Sequence, residues 1–248
     1  MIEQAVAGAN EHRTVSRVTG ILEFVARSER RVRMADIVKE LDAPRSSVHG
    51  LVRGLVSTGY LHATDDGRYT IGAAISALIM HKSAADKAVR EAMESLNLEF
   101  DETVALVAIA GDSIVTTDAI ESSMAIRYNP TLGLRRPLYP TSAGKCFLAN
   151  AASTYRDKYL ERNFTRATER DRVRDELLAV RRDGFAVNCG DTLPDLHAVS
   201  VPIFDGPSVN GVITIAGPSS RFTQKRNDIV HEVRAAAERA SRKQQAEG

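Results

Sequence analysis

Three closely spaced apolar stripes of helical period constrain this chain more than any other feature. Val18, Ile21, Leu22 and Val25 stand at i, i+3, i+4 and i+7; Met34, Ile37, Val38 and Leu41 repeat the spacing; Val48, Leu51, Val52, Leu55 and Val56 repeat it again. Each stripe needs a partner to cover it, so three short helices share one small core. Only "DAP" separates the second stripe from the third. Pro44 cannot continue the second helix, so the chain turns sharply before a third helix opens at Arg45 or Ser46. Two helices joined this tightly form a helix-turn-helix.

"GYLHATDDGRYTIG" follows. Leu61 and Ala63, then Tyr69 and Ile71, alternate with polar residues around Asp66-Gly67. That pattern predicts a hairpin with a two-residue turn, and hence a winged helix-turn-helix. With its apolar stripe turned inward, the third helix presents Arg45, Ser46, Ser47, His49 and Arg53, with no acidic residue among them. Such a face fits the major groove of double-stranded DNA: hydroxyls and the helix start take phosphates, while Arg and His reach base edges. Arg68, on the hairpin rim, is a candidate contact to backbone or minor groove. A solvated face used for protein contacts is the competing reading.

Bulk charge decides nothing between the two, since residues 1 to 75 carry ten Lys and Arg against nine Asp and Glu. The local excess is larger: residues 12 to 35 hold six Arg against Glu23 and Glu29. The stretch from Val15 to Gly72 resembles the N-terminal domain of the IclR (isocitrate lyase regulator) family of bacterial transcription factors. One departure is Gly50, where family members usually carry Arg, with Gly54 one turn on.

The rest of the chain alternates. "TVALVAIA" and "SIVTTDAI" flank Gly111-Asp112 as a hairpin; "FAVN", "HAVSVPIF" and "NGVITIAG" are further strands; helices are expected near 142 to 160, 169 to 183 and 223 to 243. Residues 73 to 100, with Ile75, Leu78 and Ile79 and then Ala88, Val89, Ala92, Met93 and Leu96, read as a linker helix. The fold expected is therefore α+β: a winged helix-turn-helix over 12–72, a linker helix over 73–100, and a domain over 101–245 with helices on one or both faces of a sheet. "GLRRPLYPTSAGKCFLA", "RRDGFAVN" and "VSVPIFD...VNGVITIAGP" resemble the effector-binding domain of the same family, which is similar to a GAF fold.

"YPTSAGKCFL" looks like a phosphate loop. It lacks that loop's first glycine, replaced by Tyr139, and its terminal hydroxyl, replaced by Cys146, so nucleotide binding is not expected. What remains is a loop with cap candidates Thr141 and Ser142 opening a helix, whose free N–H groups attract a carboxylate. The resemblance implies that Ser142, Ala143 and Gly144 form one wall of an effector pocket. It further implies that Asn188 and Asp191 stand where members carry polar or acidic residues, Ala198 where several carry Cys, and Thr214 and Ala216 where members often carry Ser. A small-molecule carboxylate with an apolar or aromatic body is the expected ligand.

An enzyme using Cys146 as nucleophile, at the start of a helix, is the rival class. Against it, "FLA" follows the cysteine directly, and no base and orienter accompany it. The six histidines, at 12, 49, 62, 81, 197 and 231, show no paired ligand spacing, so neither metal nor cofactor is expected. Cys146 and Cys189 are too few for a disulfide framework, the N-terminal residues lack the apolar run of a signal peptide, and no stretch is apolar enough for a membrane span. These point to the cytoplasm. Winged readers work in pairs on two half-sites, so a homodimer or dimer of dimers is expected.

Overall fold

The computed structural model describes residues 12–75 and 84–245. The N-terminal stretch 1–11, the last three residues, and Leu78, Ile79 and His81 of the expected linker lie outside that range. The chain divides between residues 82 and 83 into two compact units.

In the first unit, α1 (Arg13–Arg27), α2 (Met34–Leu41) and α3 (Arg45–Ser57) bring their stripes together over Ile21, Val25, Ile37, Val48, Val52 and Leu55. Burying each such side chain contributes about 1.5–3 kcal/mol. Asp42 ends α2 in the left-handed region at φ 43°, and Pro44 caps α3 in extended conformation, so the three residues between the helices make the whole turn. β2 (Leu61–Ala63) and β3 (Arg68–Ile71) form the wing. Its turn is four residues long, not two. Thr64 N–H donates to Arg68 O at 2.8 Å, Gly67 N–H donates to Thr64 O at 2.9 Å, and Gly67 alone in the turn has positive φ. A two-residue turn of the expected type needs two such residues. A short strand β1 (Val32–Arg33), which the sequence pattern does not announce, pairs with β3 and buries Val32.

The second unit is built on a six-stranded antiparallel sheet, ordered β6-β5-β4-β9-β8-β7. Its strands are β4 (Thr103–Ala110), β5 (Ser113–Ile120), β6 (Arg135–Pro137), β7 (Ala186–Cys189), β8 (Leu196–Asp205) and β9 (Ser208–Pro218). Helices α4 (Ala84–Phe100) and α8 (Ser219–Gln245) cover one face through Met93, Leu96, Phe222, Ile229 and Val233. Helices α5 (Ser142–Asn150), α6 (Ser153–Asn163) and α7 (Ala167–Asp183) cover the other through Phe147, Leu148, Leu160, Val173 and Leu177. The single helix expected over 142 to 160 is two, because Ala151 and Ala152 are both extended. β6 is a further element absent from the sequence reading. Glu102, 1% exposed, anchors the start of β4 to the start of α8 through two parallel bonds from Arg221, 2.8 and 2.9 Å long.

Candidate DNA interface and effector cavity

Arg45, Ser46, Ser47, His49 and Arg53 are all exposed on α3. Ser46, His49 and Arg53 border an open groove whose far wall is the wing, at Ala63 and Tyr69. Gly50 and Gly54 lie on the floor side, where an added Cβ would meet nothing within 4 Å, so their lack of side chains deepens the groove. Arg68 is placed differently. It is half-buried and its guanidinium lies 3.2 Å from the Asp66 carboxylate, so its charge is already countered. Asp66 is held below the usual carboxylate range, first by the Thr64 hydroxyl and then by Arg68.

In the second unit a cavity of about 60 Å³ lies between the sheet and the start of α5. Ser142, Ala143, Asn188, Ala198, Thr214 and Ala216 line it, so six of the eight positions singled out in the sequence converge. Thr141 caps α5, its hydroxyl accepting from Gly144 N–H at 3.1 Å. The amides of Ser142 and Ala143 have no hydrogen-bond partner among the described residues. They give the cavity the positive end of a helix.

Ser200 ties the wall together: its hydroxyl lies 2.8 Å from both Ser142 Oγ and Thr214 Oγ1. This residue was missed in the sequence, although β-strand alternation carried the signal: Ala198 and the residue two positions on share one face of the sheet. Arg136 and Tyr128 also line the cavity and were not singled out; nothing local in "GLRRPL" marks which arginine turns inward.

Asn188, 3% exposed, spends much of its amide on backbone: Nδ2 donates to Pro140 O, and Oδ1 accepts from the N–H groups of Gly190 and Asp191. One Nδ2 hydrogen remains for a ligand.

Gly144 and Asp191 do not line the cavity. At Gly144 an added Cβ would stand 1.9 Å from Leu138 O, so this glycine allows α5 to sit against the preceding loop. Asp191 instead joins Lys145, which is 2% exposed, at 3.1 Å; Glu176 of α7 lies 2.6 Å from the same ammonium. Burial works against the charge on Lys145, but the two carboxylates outweigh it and hold its pKa above the ordinary value. The cluster staples α5 to α7 and to the turn after β7.

Cys146 has no solvent exposure and donates its thiol to Ser200 O at 3.3 Å. Burial pushes the thiol up to about 12, so at neutral pH it supplies essentially no thiolate nucleophile.

The family model of the IclR helix-turn-helix domain matches residues 14–65, and that of the bacterial transcriptional regulator IclR C-terminal domain matches residues 78–242. The chain belongs to the IclR family of bacterial transcriptional regulators. Among IclR relatives, the regulator KipR of Bacillus subtilis is 25% identical, covering 94% of this chain and 98% of its own. The probable regulator SauR of Cupriavidus necator is 28% identical, covering 82% and 85%. An IclR homologue from Microbacterium hydrocarbonoxydans, crystallised with 4-hydroxybenzoate, shares the fold with a TM-score of 0.78 at 20% identity, over 94% of this chain and 99% of that one. No helix among the described residues is long and apolar enough to cross a membrane.

Proposed function

We propose that this IclR-family regulator acts as a cytoplasmic repressor, a homodimer or dimer of dimers, which reads operator DNA through the Arg45–Arg53 face of α3 and responds to a small organic or aromatic acid held at the start of α5. The observation that carries the reading is the cavity lining, which combines free helix N–H groups with the hydroxyls of Ser142 and Thr214, both bonded to buried Ser200, and contains no carboxylate. The 4-hydroxybenzoate of the homologue supports an acid as ligand class. At about 60 Å³ the cavity is smaller than the roughly 150 Å³ that accepts benzene in an engineered core, so an aromatic acid has to displace side chains as it enters. That displacement is the means by which ligand free energy biases one arrangement of the protein over another. The chain is not read as an enzyme: Cys146, the nucleophile the sequence offers, is fully buried with its thiol pKa raised and does not line the cavity.

The test uses a DNA duplex selected from a random pool by the wild-type protein. Arg53→Ala is expected to weaken binding by about 1–3 kcal/mol, the worth of a bidentate base contact. 4-Hydroxybenzoate or an aliphatic acid is expected to change the wild-type affinity and to raise the melting temperature. Unchanged operator affinity in Arg53→Ala removes the assigned reading face; no response to any acid removes the ligand class.

A further inference from the structure

Arg136 is the single charged residue of the cavity lining. It lies on the edge strand β6, where it pairs with Ile114 of β5, and Ile114 lines the same cavity. Among the described residues the Arg136 side chain has no ion-pair or hydrogen-bond partner; its guanidinium stands 6.0 Å from the centre of the Tyr128 ring. Several other arginines of this unit are placed differently. Arg90, Arg127, Arg162, Arg174 and Arg221 are all matched to carboxylates at 2.7–3.5 Å. A cation on a cavity wall whose lining holds no carboxylate is a site for an anion supplied from outside.

The other anion-seeking group is at a distance. α5 starts over β9 and β8, where Ser142 meets Ser200 and lies in one hydroxyl chain with Thr214. β6 is three strands from β9 in the sheet. At about 4.8 Å per strand, that places their backbones roughly 14 Å apart, of which the long Arg136 side chain spans part. Between them the wall is mainly apolar, with Ala105, Val107 and Ile114 beside the single hydroxyl of Thr116. The cavity thus has two positive ends and an apolar middle.

From this geometry we infer that the effector is a short dianionic acid, one anionic group received by the amides at the start of α5 and the second by Arg136. The inference rests on the acid-binding reading above and adds the second anchor. A monoacid leaves one end unmatched. Arg136 is therefore the residue that selects two-headed acids over one-headed ones.

The experiment titrates the intact protein with α,ω-dicarboxylates of three to six carbons and with monocarboxylates of the same lengths, by calorimetry. The best diacid is expected to bind at least about tenfold more tightly than its monoacid match. Arg136→Gln is expected to weaken the diacid by about tenfold or more while moving the monoacid by less than about twofold, and Arg136→Lys, which keeps the charge, should retain most of the preference. Thermal melting of both variants confirms that they fold as the wild type does. If diacids and monoacids bind wild type equally, or if Arg136→Gln keeps the preference intact, the second anchor is wrong while the acid-binding reading stands. If no acid of either series binds, both fall.

Discussion

The two faces of the six-stranded sheet are made by the same strands from different residues. On β8 and β9, Val199, Val201, Ile203, Ile213 and Ile215 point to α4 and α8, and all are buried. Their immediate neighbours Ala198, Ser200, Thr214 and Ala216 point to α5. On these two strands one face is filled with branched aliphatic side chains; beside the start of α5 the other carries small or hydroxylated ones. A close-packed layer of large side chains leaves no room, whereas alanine, serine and threonine under a helix start leave a polar cavity. The contrast teaches that the packed core and the proposed ligand cavity are divided here by the two-residue period of a strand, with no separate element for either.

The contrast can be tested by matched substitutions. Ile215→Ala on the packed face is expected to cost about 2–5 kcal/mol, read as a lowered denaturation midpoint, with ligand affinity of the folded fraction unchanged. Ser200→Ala on the cavity face is expected to cost less, about 1–3 kcal/mol, since Ser142 and Thr214 each lose a buried partner, and to weaken the acid ligand as well. Ala216→Ser, which adds a hydroxyl where the cavity has space, is expected to shift stability by no more than about 0.5 kcal/mol while altering affinity. Should Ala216→Ser unfold the protein as readily as Ile215→Ala, the division between the faces is not real.

Local periodicity carried most of the fold. The three stripes of the first unit and the alternation of β4, β5, β8 and β9 are written in neighbouring residues, which is why these elements could be read directly. β1 and β6 could not, because two or three residues have no period, and each exists only through a partner far along the chain: Val32 with Tyr69, Arg136 with Ile114. The same limit governs the cavity. Ser142, Asn188 and Thr214 were reached through family resemblance, but that likeness could not say that Asp191 turns away to Lys145, a contact made across 46 positions. Nor could it reveal Arg136, whose significance lies in a cavity lining that holds no carboxylate.

α4, which follows the DNA-reading unit in the chain, packs on the face of the sheet that the cavity does not touch. A ligand among Ser142, Thr214 and Ala216 is thus screened from that helix by one layer of hydrogen-bonded peptide. Any push it exerts on Thr214 is also a push on Ile213 and Ile215, the flanking residues on the same strand, whose side chains lie in the core with α4. If an acid binds there as proposed, the sheet is the layer through which its effect reaches α4.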